Sequence, residues 1–370
     1  MVGLLKTQPA QQNCDSSNAE QAKYQSKRYL WIFSVLIAAA PTLASLLLIA
    51  TGNQAWAFAP LIFYFGVIPV LDLMFGEDPF NPSDDQLGAL ADDPYFDGLL
   101  LIVSAVFWTN FVVTSVIALS SGMAWPFFVA LALGVGAASG AALTVGHELG
   151  HRPQRRFQIA ALLTNALSGY GHFRIEHNFG HHVNVATPED SASSRFNESI
   201  WSFALREIPG GVARAWRHQS AQLKKRGKPV FSLENEILQG YAISLTVALV
   251  LIAAFGWLAI VFILLHHTAA WLQLTFANYV EHYALKRKRR SDGRYEPCAP
   301  RHSWNSNHIV SNLSLFHLQR HSDHHAHPNR PYQTLRNFDD LPTLPSGYPG
   351  TFVLAAIPPL WFRIMNKKAL

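Results

Sequence analysis

Six stretches of this 370-residue chain are apolar over the length that a bilayer-crossing helix needs, about twenty predominantly apolar residues. Residues 29–50, 99–119 and 123–146 carry no charged side chain, and 55–76 carries one, Asp72. Residues 240–255 are short and 257–283 long for a span, and the two read as a hairpin turning at Gly256. Charged residues make up 14% of the chain, against about 25% in a soluble domain. The expected architecture is therefore an all-α integral membrane protein of six transmembrane helices, one membrane domain over 29–370 preceded by a polar segment, 1–28. Residues 159–170 are apolar but too short for a seventh span, so they are expected to lie at the interface or re-enter.

Lys and Arg near span ends mark the cytoplasmic side. Lys23, Lys27 and Arg28 precede the first span, Arg152, Arg155 and Arg156 follow the fourth, and Lys286, Arg287, Lys288, Arg289 and Arg290 follow the sixth. Six spans beginning inside put all of these on the cytosolic face, and the outer loops 51–54 and 120–122 are uncharged. Both termini are then cytosolic, and the polar stretches 152–239 and 286–370 form a cytosolic cap. The net charge of +5 follows from this topology, so no nucleic-acid partner is inferred. No removable signal peptide is expected, because no short apolar core with a small-residue cleavage site precedes residue 29.

Two cysteines, Cys14 and Cys298, cannot build a thiolate cluster, whereas seventeen histidines are present. Nine fall in four sets: His147-Glu-Leu-Gly-His151, Glu176-His177-Asn-Phe-Gly-His181-His182, Asn278-Tyr-Val-Glu-His282 and His321-Ser-Asp-His324-His325. Histidines at i and i+3 or i+4 share a helix face, and neutral imidazole is the commonest side-chain metal ligand. His147 and His282 lie about 23–25 residues from the outer ends of their spans, ~35 Å, which puts both at the cytosolic edge. Nine imidazoles exceed what one tetrahedral site uses and suit two metals. Read alone, His147-Glu148-x-x-His151 is the pattern of a zinc protease, which would leave the other three sets unexplained. An iron pair beside an apolar bundle accounts for all four, with O2 as oxidant and a hydrocarbon as substrate. A metal transporter would line its histidines across the bilayer instead of gathering them at one face. Of the other eight, His266 and His267 lie mid-span, either as a hydrogen-bonded pair or as a cavity lining, and His172, His218, His302, His308, His317 and His327 are cytosolic.

HELGH at 147–151, EHNFGHHVNVATPEDSASSR at 176–195, NYVEHYAL at 278–285, WNSNHIVSNL at 304–313 and LQRHSDHHAHPNRPYQTLR at 318–336 resemble the membrane alkane 1-monooxygenases. These belong to the histidine-rich di-iron superfamily that also holds membrane desaturases, fatty-acid hydroxylases and xylene monooxygenases, and NYVEHY favours the alkane hydroxylases. The resemblance implies terminal hydroxylation of n-alkanes to 1-alkanols with O2 and two electrons, in the inner (cytoplasmic) membrane of a bacterium. It implies two non-haem iron ions held by His147, His151, His177, His181, His182, His282, His321, His324 and His325. Glu148, Glu176, Asp190, Glu281 and Asp323 are candidates to orient those imidazoles through their second ring nitrogen. Trp56 and Tyr64 are candidates to set the depth of a substrate slot. Electrons are expected from a separate rubredoxin and its NADH-dependent reductase, since the chain ends at Leu370 without a rubredoxin module. Lys286, Arg287, Arg320 and Arg330 are candidates for docking that acidic donor, with topology or anionic lipid as their alternative roles. A xylene-type or fatty-acid hydroxylase is the alternative within the same superfamily.

Overall fold

The computed structural model describes residues 28–369, so Lys23, Lys27, Cys14 and nearly all of the expected N-terminal segment lie outside the described residues. The described chain is almost entirely helical, with three isolated β-bridges and no strand. Five helices are long and apolar enough to cross a membrane: α3 (Gln54–Phe75), α5 (Pro94–Ser120), α6 (Trp125–Gly150), α10 (Glu236–Phe255) and α11 (Trp257–His282). The first expected span is instead a bent pair, α1 (Arg28–Ala38) and α2 (Ala40–Thr51), meeting at 46°, which makes six spans if the pair is one.

The bend has a local cause. Pro41 lacks the amide that would bond the carbonyl of Ile37, and its ring crowds that turn. The Tyr64 hydroxyl donates to the Ile37 carbonyl instead, at 3.0 Å. Asn110 of α5 closes the rest of the break, its amide donating to the Ala38 carbonyl and its oxygen accepting from the Thr42 amide and hydroxyl. Two polar side chains thus satisfy backbone groups that lipid would leave unbonded.

Helix α6 is the central helix, with 83% of its most apolar window buried, against 28% for α11. Glycines let its neighbours approach closely. A Cβ at Gly136 would collide with the backbone of His266, and one at Gly140 with the Gln273 side chain, both on α11. This is the small-residue packing expected where lipid offers no hydrophobic drive between helices. Gly256, at φ 71°, makes the α10–α11 hairpin turn in the left-handed region that favours glycine.

Between the spans lie α4 (Asp84–Ala91), α7 (Arg155–Ala166), α8 (173–184) and the long cap helix α9 (Ile200–Lys225). Helix α7 covers most of the apolar 159–170 stretch and is too short to be a span, as expected. After α11 come α12 (Ile309–Ser314), α13 (His321–Ala326), α14 (Tyr348–Ala355) and α15 (Pro358–Ala369). Asp72, the lone charge in the second span, is buried and accepts the Ser311 amide at 2.9 Å, which pins α3 to the cap.

Candidate metal centre

The helix of the fourth span does not stop where hydrophobicity does. It continues through Gly150, so His147 and Glu148 occupy its last turn and His151 caps it. His282 likewise ends α11, and α13 presents His321, His324 and His325 from a six-residue helix between them. The third contributor, α8, is unusual: residues 177–181 form a π turn inside it, a form found mainly as single turns at functional sites. Widening the turn brings i and i+5 onto one side. His177 and His182 therefore face each other, Nε2 to Nε2 at 2.9 Å, while His181 points elsewhere.

All nine expected histidines are gathered, and they divide into two groups. His147, His151, His177, His182 and His324 form one; His181, His282, His321 and His325 form the other, with the ligand atoms of each group within 4.8 Å of one another. In the first group Nε2 atoms lie 2.9 Å apart for His147–His324 and 3.0 Å for His324–His182. In the second they lie 3.2 Å apart for His181–His325, 2.9 Å for His325–His321 and 3.2 Å for His321–His282. A ring nitrogen carries either one N–H or one lone pair. The Nε2 of His324 and that of His325 each have two such neighbours, which imidazole pairing alone does not satisfy. Lone pairs converging on a cation do: at a metal–nitrogen distance of about 2.1 Å, adjacent ligands at right angles stand ~3.0 Å apart and tetrahedral ones ~3.4 Å. The His151 Nε2 is buried without a hydrogen-bond partner, as a reserved ligand atom would be. Burial also keeps these rings neutral, with His151 pushed down to about 4 and His177, His182, His321, His324 and His325 well below the usual imidazole range. The residues present therefore fit two metal ions.

Of the five carboxylates expected to orient the imidazoles, Asp190 does so. Its Oδ2 accepts His181 Nδ1–H at 2.9 Å and the Ser193 hydroxyl at 2.6 Å, and its Oδ1 meets Arg214 at 2.8 Å. Burial alone would lower the His181 pKa, but the Asp190 charge outweighs it and holds the ring above the ordinary value. Glu281 is at the centre on the other side of the ring from that expected. Its Oε2 lies 3.2 Å from His321 Nε2, among the ligand atoms, while Oε1 accepts the Tyr348 hydroxyl at 2.8 Å. The other three are held by partners other than the nine histidines. Glu148 accepts the Tyr332 amide at 3.2 Å and lies 3.6 Å from Arg152, so it is committed to the cap and not free as a protease base. Glu176 pairs with Arg214, and Asp323 holds His327 at 2.9 Å and Arg330 at 2.7 Å.

An apolar cavity runs from this centre into the spans. His147, His177, His321 and Glu281 line its polar end, and Ile37, Ala38, Phe65, Ile68 and Phe107 its apolar length. Tyr64 is in the wall, as expected. Trp56 is not: it lies in the first turn of α3 and is 37% exposed.

The fatty acid desaturase family model matches residues 123–354, which include all four histidine sets. The chain is 45% identical over 367 residues to alkane 1-monooxygenase 1 of Alcanivorax borkumensis, covering 99% of this chain and 90% of the relative. It is 47% identical over 345 residues to the alkane 1-monooxygenase of Ectopseudomonas oleovorans, covering 93% and 86%. The chain belongs to the alkane 1-monooxygenase family. The hydroxylase component of xylene/toluene monooxygenase from Pseudomonas putida is more distant, 29% identical over 233 residues, 62% of this chain and 60% of that one.

Within this alkane 1-monooxygenase family member the proposed docking residues divide sharply. Lys286 is exposed and Arg287 half-buried, the latter donating to the carbonyls of Glu296 and Val183. Arg330 is tied to Asp323. Arg320 is 2% exposed and its guanidinium donates to the carbonyls of Leu335, Asp78 and Phe80. It staples the cap to the loop after α3 and presents no surface to a partner. The eight histidines outside the two groups are held by other partners. His266 bonds His267 and Ser139, and His172 bonds Tyr241. The His302 carbonyl accepts from His282 Nδ1 at 3.3 Å, an orienting contact made by backbone and so invisible to motif reading.

Proposed function

We propose that the chain hydroxylates the terminal carbon of n-alkanes, converting alkane, O2, two electrons and two protons into a 1-alkanol and water at a non-haem di-iron centre. The observation that carries this reading is the pair of histidine groups opening on one apolar cavity, in a chain of the alkane 1-monooxygenase family. One iron would be held by His147, His151, His177, His182 and His324, the other by His181, His282, His321 and His325. Bound iron supplies the activation of O2; the protein's residues do the rest. Donation of His181 Nδ1–H to Asp190 leaves its Nε2 lone pair for the metal. The cavity wall is apolar and so binds a hydrocarbon by burial, and with Tyr64 and Phe107 in that wall and the histidines at its polar end a chain would enter end first. Geometry of approach then selects the terminal methyl over weaker internal C–H bonds.

Electrons come from reduced rubredoxin, reloaded by an NADH-dependent reductase, with exposed Lys286 and neighbouring Arg287 on the docking face. The flanking Lys and Arg residues support a cytosolic active site on a multi-pass protein of the bacterial inner membrane. The test is purification, a count of iron and zinc per chain, and reconstitution with rubredoxin, reductase and NADH against octane, hexadecane, xylene and palmitate. Iron near two per chain with 1-alkanol as product is expected. Iron-dependent turnover of xylene or palmitate alone would replace the alkane reading, and one zinc without iron would remove the di-iron centre.

A further inference from the structure

Glu207 is a buried carboxylate that the reading above does not use. It sits on α9 with 4% of its surface exposed, and no lysine, arginine or histidine pairs with it among the described residues. Both of its hydrogen bonds come from neutral donors on α11: Thr275 Oγ1 to Oε2 at 2.9 Å and Asn278 Nδ2 to Oε1 at 3.1 Å. Thr275, Asn278 and His282 are spaced i, i+3 and i+7, so the helix face that grips Glu207 is the one that ends in a proposed metal ligand. Asn278 also lines the cavity. Helix α9 packs on the 177–181 turn as well, which places Glu207 between the two elements that carry His181 and His282.

A buried carboxylate without a cation is costly to ionise, and burial pushes Glu207 up to about 7 in the metal-free chain. Two divalent ions nearby reverse that balance, since they become the largest charges in the region. Nine neutral imidazoles supply no negative charge of their own, Asp190 already shares its charge with Arg214, and Glu281 among the ligand atoms offers a single charge against the four of two divalent ions. We propose that Glu207 is the outer counter-charge of the metal centre: it releases its proton as the two ions bind and holds the negative charge without touching either one. It is a positioning residue, acting through charge, and the inference rests on the histidine groups being metal sites.

Titratable groups around Glu207 are Asp190 and His181 from the 177–190 segment, Tyr170 before α8, Glu281 and His282 further along α11, and Arg206 and Arg214 on α9 itself. Arg206 is taken up by Glu198, and Arg214 by Glu176 and Asp190. Of these, His181 also releases a proton when a metal displaces it, so a comparison between variants is required. The experiment is ferrous iron added under argon to the chelator-stripped full-length protein in detergent, with proton release and infrared carboxyl absorption followed together. Below pH 7 the Glu207 carboxyl of the stripped protein is mostly protonated, so at pH 6.5 wild type should release up to one more proton per chain than Glu207→Gln, and the difference should fall away as the pH is raised to 8.5. The protonated-carboxyl component that Glu207→Gln lacks and Glu207→Asp shifts should be present in the stripped wild type and disappear on loading, apart from any absorption of buried Glu148 and Glu281 that all three proteins share. Equal proton release in wild type and Glu207→Gln, or a wild-type component indifferent to iron, overturns the inference. If Glu207→Gln does not fold, Glu207→Asp decides, because a shifted component separates Glu207 from buried Glu148 and Glu281. A wild type that binds no iron would instead remove the metal-site reading itself.

Discussion

Replacing Asp190 by Asn isolates the role of a single carboxylate in one of the two histidine groups. All four partners of Asp190 are donors: His181 Nδ1 at 2.9 Å and Ser193 Oγ at 2.6 Å on Oδ2, Arg214 at 2.8 Å and the Ala192 amide at 3.1 Å on Oδ1. Ser193 could turn its hydroxyl, since its oxygen accepts the Ala186 amide at 2.8 Å and keeps a second lone pair, but Arg214 and the Ala192 amide offer no such choice to an NH2 group. An asparagine amide must put its NH2 on one side. Facing Arg214 and Ala192 it opposes two donors; facing His181 it forces the ring proton onto Nε2 and removes the lone pair that a metal needs. Either way the four-histidine group weakens while the five-histidine group keeps its ligands. Loss of such an orienting partner lowers metal affinity by about 10–100-fold, equivalent to ~1.4–2.8 kcal/mol. Titration of the metal-free protein with ferrous iron against a competing chromophoric chelator should show one site unchanged and one weakened by that factor, at unaltered helical content. Equal weakening of both sites, or of neither, would refute the assignment of His181 to a separate group.

Three further outcomes follow from the same geometry. Arg214→Ala strands Glu176 as a buried carboxylate without its cation and leaves Asp190 only His181 and two neutral donors, and should destabilise the protein by about 3–5 kcal/mol, read as a lowered thermal midpoint in detergent; a loss below about 1 kcal/mol would mean that Glu176 finds another partner. Tyr64→Ala should move the product profile towards longer alkanes by opening the cavity wall, whereas Tyr64→Phe, which loses only the bond to the Ile37 carbonyl, should leave it in place; an identical profile in all three proteins counts against a gating role. Lowering the pH from 8 to 6 should strip iron from the four-histidine group first, because the Asp190 charge keeps His181 prone to protonation while burial holds His151 at about 4 and His177 and His182 well below the usual range; loss of both irons at one pH argues otherwise.

The spans were legible because hydropathy depends on composition over a window, not on partners: α3 and α11 fall within a residue of the expected 55–76 and 257–283. Eight of the nine histidines were legible because their spacing follows the helical period, and His282 through its depth in the span and the NYVEHY resemblance. What escaped the sequence depends on contacts between distant segments. The break at Pro41 survives because Asn110 and Tyr64, from other helices, take up its freed carbonyls. Arg320 reads as surface charge by residue type, yet three carbonyls from 78 to 335 enclose it. Glu148 and Glu176 sit beside histidines in sequence but bond to residues 332 and 214. Glu207 lies on an amphipathic helix whose other face exposes Trp201 and Leu205, so only the packing against α11 marks it as buried.

The division of the histidines follows from which elements are shared. Helix α6 serves only the first group, through His147 and His151, and α11 only the second, through His282. The other two contributors serve both. Helix α13 gives His324 to one group and His321 and His325 to the other, and the π turn gives His177 and His182 to one and His181 to the other. Consecutive residues on a helix diverge by about 100°, so adjacent histidines such as 324 and 325 can meet two ions only if the helix lies between them. On a regular turn His177 and His181 would share a face and His182 would diverge; the π turn reverses that pairing. Helix α13 divides its three histidines on a regular turn, where His321 and His325 at i and i+4 share a face and His324 diverges. The extra residue in the π turn changes which pair is brought together, His177 with His182 in place of His177 with His181, and so sends His181 to the other group.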